Sequence, residues 1–308
     1  MFLRPIHFIP PDTKIDFVSK RWWAFSVSII LLVITILSLA VKGLNLGIDF
    51  KGGILIEAKA SQAVDVAALR TAIGTLNLGE VELQQYGSPD DVLIRIQRQE
   101  GDEAAQMKAI QNVRDKLGTE YEYRRVEVVG PTVGTELLHA GILATVLAMA
   151  AISLYVGVRF EWQFGLAALI ATFHDVLTVV GLFSFLQLDF NLTSVAAILT
   201  LAGYSINDTV VVFDRIRETL RRQKTTDLRA VINDSVNQTL SRTTMTAGTT
   251  LLALLPLLLI GGPTLINFSA ALTWGILVGT YSSIYVAAAL LLYMPPLKRV
   301  EVGRVAKV

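Results

Sequence analysis

The sequence predicts an α-helical polytopic membrane protein with six transmembrane helices and a small α+β ferredoxin-like domain inserted between helices 1 and 2. Three observations support this fold class. Apolar residues make up 53% of the 308 residues and the mean hydropathy is +0.54, which is more apolar than a water-soluble globule. Several apolar runs are long enough to cross a bilayer. One polar stretch, residues 42–136, instead shows the short periodicities of a folded domain.

The first four spans are separate apolar runs. A spanning helix needs about 20 mostly apolar residues, because about 30 Å of hydrocarbon must be crossed at about 1.5 Å per residue. The run from Trp22 to Val41 meets this length, and three further runs meet it with a few polar interruptions. These are Leu137 to Val158, Trp162 to Leu188 and Phe190 to Phe213.

The last two spans share one uncharged stretch. No charged residue occurs between Thr243 and Leu297, and Gly261, Gly262 and Pro263 divide this stretch into two helices. Six spans result. A secretory signal peptide is the alternative for the first run, because Ser38 and Ala40 resemble a cleavage site, but that run is longer than the apolar region of a typical signal peptide.

The orientation follows from the basic residues in the short loops. Residues 214–242 contain seven Lys or Arg residues, whereas residues 187–191 and 261–267 contain none. Lys and Arg are enriched in cytoplasmic loops, so 214–242 is predicted to be a cytoplasmic basic loop. The seven residues are Arg215, Arg217, Arg221, Arg222, Lys224, Arg229 and Arg242.

This orientation predicts how the chain is organised across the membrane. Both termini, residues 1–21 and 298–308, are expected in the cytoplasm. Residues 22–41 form the first transmembrane helix, and residues 137–297 contain helices 2 to 6. Residues 42–136 are then periplasmic, because one crossing separates them from the amino-terminal segment.

The periodicities of residues 42–136 predict six elements in the order β-α-β-β-α-β, which is the order of a ferredoxin-like fold. Short alternating runs indicate strands, and runs of helical period indicate helices. The predicted elements are the strand Ile54–Lys59, the helix Asp65–Leu76, the strand Glu80–Gln85, the strand Val92–Gln97, the helix Glu103–Leu117 and the strand Tyr121–Val129.

Composition argues against several kinds of partner and chemistry. The net charge of +1 gives no basic excess, so no nucleic acid partner is expected. The chain has no cysteine, and His7, His139 and His174 lie far apart, so no metal or other cofactor is expected. The chain has no Gly-x-Ser-x-Gly elbow and no Walker A loop, which are the motifs of a hydrolase or an ATPase. The predicted helices are expected to lie in the lipid bilayer.

Asp208 is the main charged residue inside a predicted span. Val210 to Phe213 follow it, so it lies about 7.5 Å before the end of the fourth apolar run, in its cytoplasmic half. An acidic group in the bilayer costs at least about 2.5 kcal/mol, which favours a functional role. Arg242 begins the fifth span at a similar depth. A nearby guanidinium favours the ionised carboxylate, and separation in a dry site favours the protonated form.

A structural role is the alternative for these polar residues. Asp208 and Arg242 would then cap helix ends and extend towards water. His174 and Asp175 form a second polar site midway along the third span, and with Asn207 they are supporting candidates. The alternative for His174 and Asp175 is hydrogen bonding to neighbouring helices only.

Six stretches resemble the SecF family of protein-export membrane subunits, which belongs to the resistance-nodulation-division superfamily. They are distributed over nearly the whole chain. The stretches are Gly47–Gly53, Val129–Gly134, Tyr155–Trp162, Gly203–Glu218, Leu240–Thr244 and Gly279–Ala287.

This resemblance implies a motor subunit that uses the proton motive force to assist late preprotein export. The implied partners are SecD, the SecYEG translocon, YajC and the translocating preprotein. Asp208 and Arg242 match the family's intramembrane pair implicated in proton conduction, which acts with an aspartate of SecD. The chain is expected to be the separate subunit, a proton-driven translocation component and not an enzyme.

Two other functions compete with this expectation. One is half of a drug or lipid exporter of the same superfamily, although such exporters usually carry much larger external domains. The other is an intramembrane aspartyl protease that pairs Asp175 with Asp208. Neither aspartate occurs in the Tyr-Asp or Gly-x-Gly-Asp context of such proteases.

Overall fold

The structure, a computed structural model, describes residues 10, 13–79, 81–222, 227–261 and 263–295. Among these residues, six helices are long and apolar enough to cross a membrane, which confirms the predicted number of spans. Glu80, Lys224, Gly262 and the predicted tail 298–308 lie outside the described residues.

The helices of the membrane part differ in length from the apolar runs that predict them. Helix α1 covers Arg21–Lys42, and a short helix, α2, covers Ile48–Lys51 before the inserted domain. After the domain come α5 (Pro131–Arg159), α6 (Trp162–Leu186), α7 (Leu192–Arg222), α8 (Leu228–Ile260) and α9 (Pro263–Ser282). A π-helical turn, Ser283–Ala287, continues α9 towards α10 (Ala288–Leu290). Helices α1, α5 and α7 are longer than the apolar runs that predict them, whereas α6 ends two residues earlier than its run.

The inserted domain has the predicted ferredoxin-like topology. Its strands β1 to β4 form one antiparallel sheet in the order β2-β3-β1-β4. The domain's two helices complete the β-α-β-β-α-β order, and each described bound lies within two residues of the prediction. The elements are β1 (Gly53–Ala60), α3 (Val66–Gly74), β2 (Val81–Gln85), β3 (Asp91–Ile96), α4 (Glu103–Leu117) and β4 (Tyr121–Val129).

The domain has its own hydrophobic core. Alternate residues of β1 and β3, among them Ile54, Ile56 and Ile94, are fully buried against apolar residues of α3 and α4. The side chains of Asp65 and Asp102 accept hydrogen bonds from the first free amides of the two helices. Such caps fix where the helices begin, so the sequence pattern predicts these bounds well.

Small residues bring the membrane helices into close contact. A methyl group added at Gly181 of α6 would lie 2.1 Å from the Thr35 hydroxyl of α1, and one at Gly275 of α9 would lie 2.4 Å from Leu201 of α7. Close approach at small residues is the usual way in which membrane helices pack. Gly275 therefore has the close-packing role that its Gly-x-x-x-Gly spacing indicates.

The predicted basic loop 214–242 is not a loop. Helix α7 continues to Arg222 and α8 begins at Leu228, so most of the segment is helical. Its apolar residues recur at helical spacing, and Ile216, Val231 and Val236 are fully buried in one cluster. The charged residues occupy the other faces of these helices. Arg242 consequently lies inside α8 and does not begin a helix.

The segment before α1 is attached to α8 by two asparagine side chains. Asn233 Oδ1 accepts hydrogen bonds from the Phe17 and Val18 amides, both at 3.0 Å, and Asn237 exchanges two with the Ile15 backbone. Hydrogen bonds from the Ser19 amide and Asn233 hold the pKa of Asp16 below its usual range. The amino-terminal segment therefore lies on the same side of the membrane part as the start of α8.

Candidate functional site

A buried carboxylate, that of Asp175, connects three membrane helices. Its side chain on α6 is 0% exposed. Oδ2 accepts hydrogen bonds from Ser205 of α7 at 2.5 Å and Ser282 of α9 at 2.7 Å, while His174 Nδ1 lies 2.9 Å from Oδ1. A buried acidic group is tolerated only with such partners. Asp175 is thus a hydrogen-bonded junction of α6, α7 and α9.

The π-helical turn begins directly beside this junction. Ser282 is the last residue of α9, and Ser283 is the first residue of the turn. The Ser283 hydroxyl lies 2.8 Å from that of Thr209 on α7, and both residues are buried. Turns of this kind occur frequently at functional sites because they rotate the residues that follow relative to a regular helix.

Asp208 lies on the buried side of α7 but outside this hydrogen-bonded group. Its side chain is 3% exposed, and no described residue donates a hydrogen bond to Oδ2. Ser205 shares its helical face but donates to Asp175. A buried carboxyl oxygen without a donor is costly, which marks Asp208 as a candidate for binding and releasing a proton.

Arg242 of α8 is a positive charge that acts on Asp208. The guanidinium interacts with the carboxylate through charge, but the two groups do not form an ion pair within 4.0 Å. Arg242 is exposed and lines a cavity of about 530 Å³ between α5, α7 and α8, together with Arg159, Asp214 and Gln238. This charged cavity reaches Arg242, but Asp208 is not among its lining residues.

Asn207 does not join the buried group. It is exposed on the outer face of α7, one turn after Gly203, where an added methyl group would meet nothing within 4 Å. The periodicity of α7 places Asn207 and the buried Asp208 on different faces. An amide and a glycine on the outer face of a membrane helix are typical of a surface that packs against another helix.

Sequence reasoning missed the serines of the junction. Ser205 and Ser282 both occur in family-like stretches, but they lie 30 and 107 residues from Asp175, and neither spacing is a sequence signal. Within the part of the chain that the structure describes, no group of three or more His, Cys, Asp or Glu residues could hold a metal ion.

Together, the six apolar helices, the inserted domain and the buried carboxylates define a multi-pass membrane protein of the transport type. The family model "Protein export membrane protein SecD/SecF, C-terminal" matches residues 109–296, and the "SecD/SecF GG Motif" matches residues 37–64. The chain belongs to the SecF branch of the SecD/SecF family of protein-export membrane proteins.

The similar proteins agree with this assignment. The chain is 44% identical over 295 residues to "Protein translocase subunit SecF" of Rickettsia prowazekii, covering 94% of each chain. It is 43% identical to the same subunit of Rickettsia bellii, covering 94% of this chain and 97% of the relative. Relatives of this kind are components of a translocase, which places the chain among transport proteins.

Two solved structures resemble the fold. One is SecDF, a translocon-associated membrane protein from Thermus thermophilus, with a TM-score of 0.84 and 34% identity. The other is SecDF in a super-membrane-facing form, with a TM-score of 0.69 and 34% identity. Both alignments cover 94% of this chain, which spans 39% and 40% of those longer chains.

Proposed function

We propose that this chain uses the proton motive force to assist late preprotein translocation across the bacterial inner membrane, as a subunit that works with SecD beside the SecYEG translocon. Family membership supports the export role. The single observation that carries the proton role is Asp208, a buried carboxylate in a membrane helix with no donor on Oδ2 among the described residues. In this proposal the chain catalyses no covalent reaction.

The proton pathway would pass between Asp208 and the cavity at Arg242. A proton binds Asp208 while the carboxylate is shielded from Arg242, and it leaves when a conformational change brings the two groups together or admits water. Asp175 and His174 would hold α6 and α9 in register with α7 during this change. Asp175 is fully hydrogen-bonded at Oδ2, so its role here is to position α7 and not to carry the proton.

SecD would pack against the outer face of α7. Asn207 and Gly203 leave that face polar and open in the single chain, and a second membrane subunit would supply the partner for the Asn207 amide. An acidic residue of SecD would take part in the same proton pathway. YajC and the translocating preprotein are the further expected partners, and the inserted domain would meet the preprotein in the periplasm.

Affinity purification from native membranes tests the assembly. The wild-type chain should recover SecD as the main partner, and Asn207→Leu should recover less because the amide loses its hydrogen bonds. Leu252→Asn, on the lipid-exposed face of α8, is the matched control and should recover SecD normally. Membrane vesicles then test the activity: preprotein release should require a proton gradient. Release that continues unchanged without a gradient would exclude the motor.

A further inference from the structure

The inserted domain is attached to the start of α7, the helix that carries Asp208. The connection between α1 and β1, residues 43–52, lies against the connection between α6 and α7, residues 187–191. Leu46 forms an isolated parallel bridge with Phe190, the Gly47 amide donates to the Phe190 carbonyl at 2.8 Å, and the Phe190 amide donates to Asn45 at 2.8 Å. Backbone pairing therefore holds the two connections in one register.

A carboxylate from α2 caps α7. Asp49 Oδ2 accepts a hydrogen bond at 2.9 Å from the amide of Leu192, the first residue of α7. Asn191 accepts the Ser194 amide, so two first-turn amides have side-chain acceptors. The negative charge of Asp49 also favours the positive end of the helix dipole. Any tilt of α7 must therefore move Asp49 or break this bond.

A buried ion pair forms the second attachment. Arg95 of β3 binds Asp189, the residue three positions before α7 begins, and both side chains are largely buried. Asn45 Nδ2 donates to the other oxygen of Asp189 at 3.0 Å. A buried charge that loses its partner is strongly disfavoured, so the domain and this connection should move together.

Two glycines allow close backbone contacts on either side of α2. Gly53 begins β1 at φ +132°, and a methyl group there would lie 2.7 Å from the Ile96 carbonyl of β3. On the other side of α2, a methyl group at Gly134 of α5 would lie 2.5 Å from the Phe50 carbonyl. These two contacts are tight, but cavities of about 500 and 410 Å³ lie beside Arg95, so movement would pass through the specific contacts of Asp49, Arg95 and Asp189 and not through continuous packing.

We propose that Asp49 and the Arg95–Asp189 pair are positioning residues that transmit movements of α7 to the inserted domain. This inference rests on the proposed function, because it links the helix of Asp208 to the domain that would meet the preprotein. Sixteen residues separate Leu192 from Asp208, or about 24 Å of helix. A change at Asp208 that tilts α7 would therefore act on the domain through these contacts.

Spin labels measure this attachment directly in the assembled complex with SecD, in reconstituted membranes. The chain lacks cysteine, so Gln84→Cys on β2 and Ala196→Cys on α7 give a single label pair at exposed positions. Without further changes, the label distances should form one narrow distribution. Asp49→Ala and Asp189→Asn should each broaden it, and Asp49→Asn should broaden it less because its amide oxygen still accepts the Leu192 amide.

Variants that break the attachment should also slow export. Asp49→Ala, Arg95→Gln and Asp189→Asn should each slow gradient-dependent preprotein release by about fivefold or more, the lower range for coupled sites. Arg95 also pairs with Glu82 at 3.4 Å, so Arg95→Gln removes two ion pairs. The double variant Arg95→Gln with Asp189→Asn should lose no more than Arg95→Gln alone, because both changes remove the Arg95–Asp189 interaction. Asp90→Ala is the matched control: it removes the partly exposed Lys59–Asp90 pair at the far end of β1 and should change neither readout.

The two readouts separate this inference from the proposed function. Broadened distances with unchanged export, or unchanged distances in Asp49→Ala and Asp189→Asn, would each overturn the transmission role. Normal gradient-dependent export with Asp208→Asn would instead overturn the proton role of Asp208, whatever the labels report.

Discussion

At the scale of single residues, two aspartates on neighbouring helices have different surroundings. Asp175 is saturated with hydrogen bonds from two serines and contacts His174, whereas Asp208 has an oxygen without a donor among the described residues. The carboxylate of Asp175 is therefore committed to holding the two serines together. Asp208 Oδ2 has no hydrogen bond to break, so this carboxylate can bind a proton without losing a donor there.

Asp208→Asn tests the proton role with the least change in shape. The amide keeps the size of the side chain and its hydrogen-bonding capacity but cannot ionise. We expect normal abundance and normal association with SecD, and loss of gradient-dependent preprotein release from vesicles. Release at the wild-type rate would show that Asp208 carries no proton. Asp175→Asn is the comparison, and it should reduce abundance as well, because it disturbs the acceptor for Ser205 and Ser282.

Substitutions of Arg242 separate its charge from its geometry. Lysine keeps a positive charge but lacks the planar guanidinium, so Arg242→Lys should retain part of the release activity. Methionine keeps an apolar stem without charge, so Asp208 should stay protonated and release should fail more completely. Both variants should remain in the membrane with SecD at normal levels. Wild-type release with Arg242→Met would contradict the electrostatic role. Loss of the variant protein from the membrane would instead indicate that Arg242 anchors its helix.

At the scale of elements, glycines decide which helices approach closely. Gly134 allows the first turns of α5 to pack under the carbonyl of Phe50 in α2, and an added methyl group would have to displace backbone. A methyl group added at Gly248 of α8 would have no neighbouring atom within 4 Å. The two glycines occupy helices of similar character but differ in what surrounds them.

Gly134→Ala should therefore destabilise the protein, and Gly248→Ala should not. Overpacking against backbone costs about 1 to 3 kcal/mol, whereas alanine in an open helical position is favoured by about 1 kcal/mol over glycine. The melting temperature of both variants can be measured in detergent by monitoring the loss of the folded monomer as the temperature rises. An equal melting temperature for Gly134→Ala and the wild type would contradict the close contact between α2 and α5.

At the scale of the whole molecule, the attached amino-terminal segment and the start of α8 must share one side of the membrane. Asn233 and Asn237 hold this segment on α8, and the inserted domain lies beyond the other end of α1. The basic residues of 214–242 predict that the first side is the cytoplasm. The domain would then be periplasmic.

Cysteine labelling in intact cells tests this topology. Gln62→Cys on the domain should react with a membrane-impermeant maleimide added from the periplasm, and Arg221→Cys should react only after the inner membrane is opened. Both positions are exposed, so access to the reagent and not burial decides the result. Labelling of position 221 from the periplasm would overturn the orientation.

The amino-acid order was sufficient to predict six spans, the topology of the inserted domain and Asp208 as an unusual intramembrane charge. Apolar length, alternation and helix caps are properties of single segments, so they can be identified without knowing which other segments pack against them. Tertiary packing decided that Asn207 faces outwards, that Ser205 and Ser282 meet at Asp175, and that residues 214–222 and 228–242 are helical. These outcomes depend on helix rotation and on contacts between distant segments, which close packing at residues such as Gly275 determines.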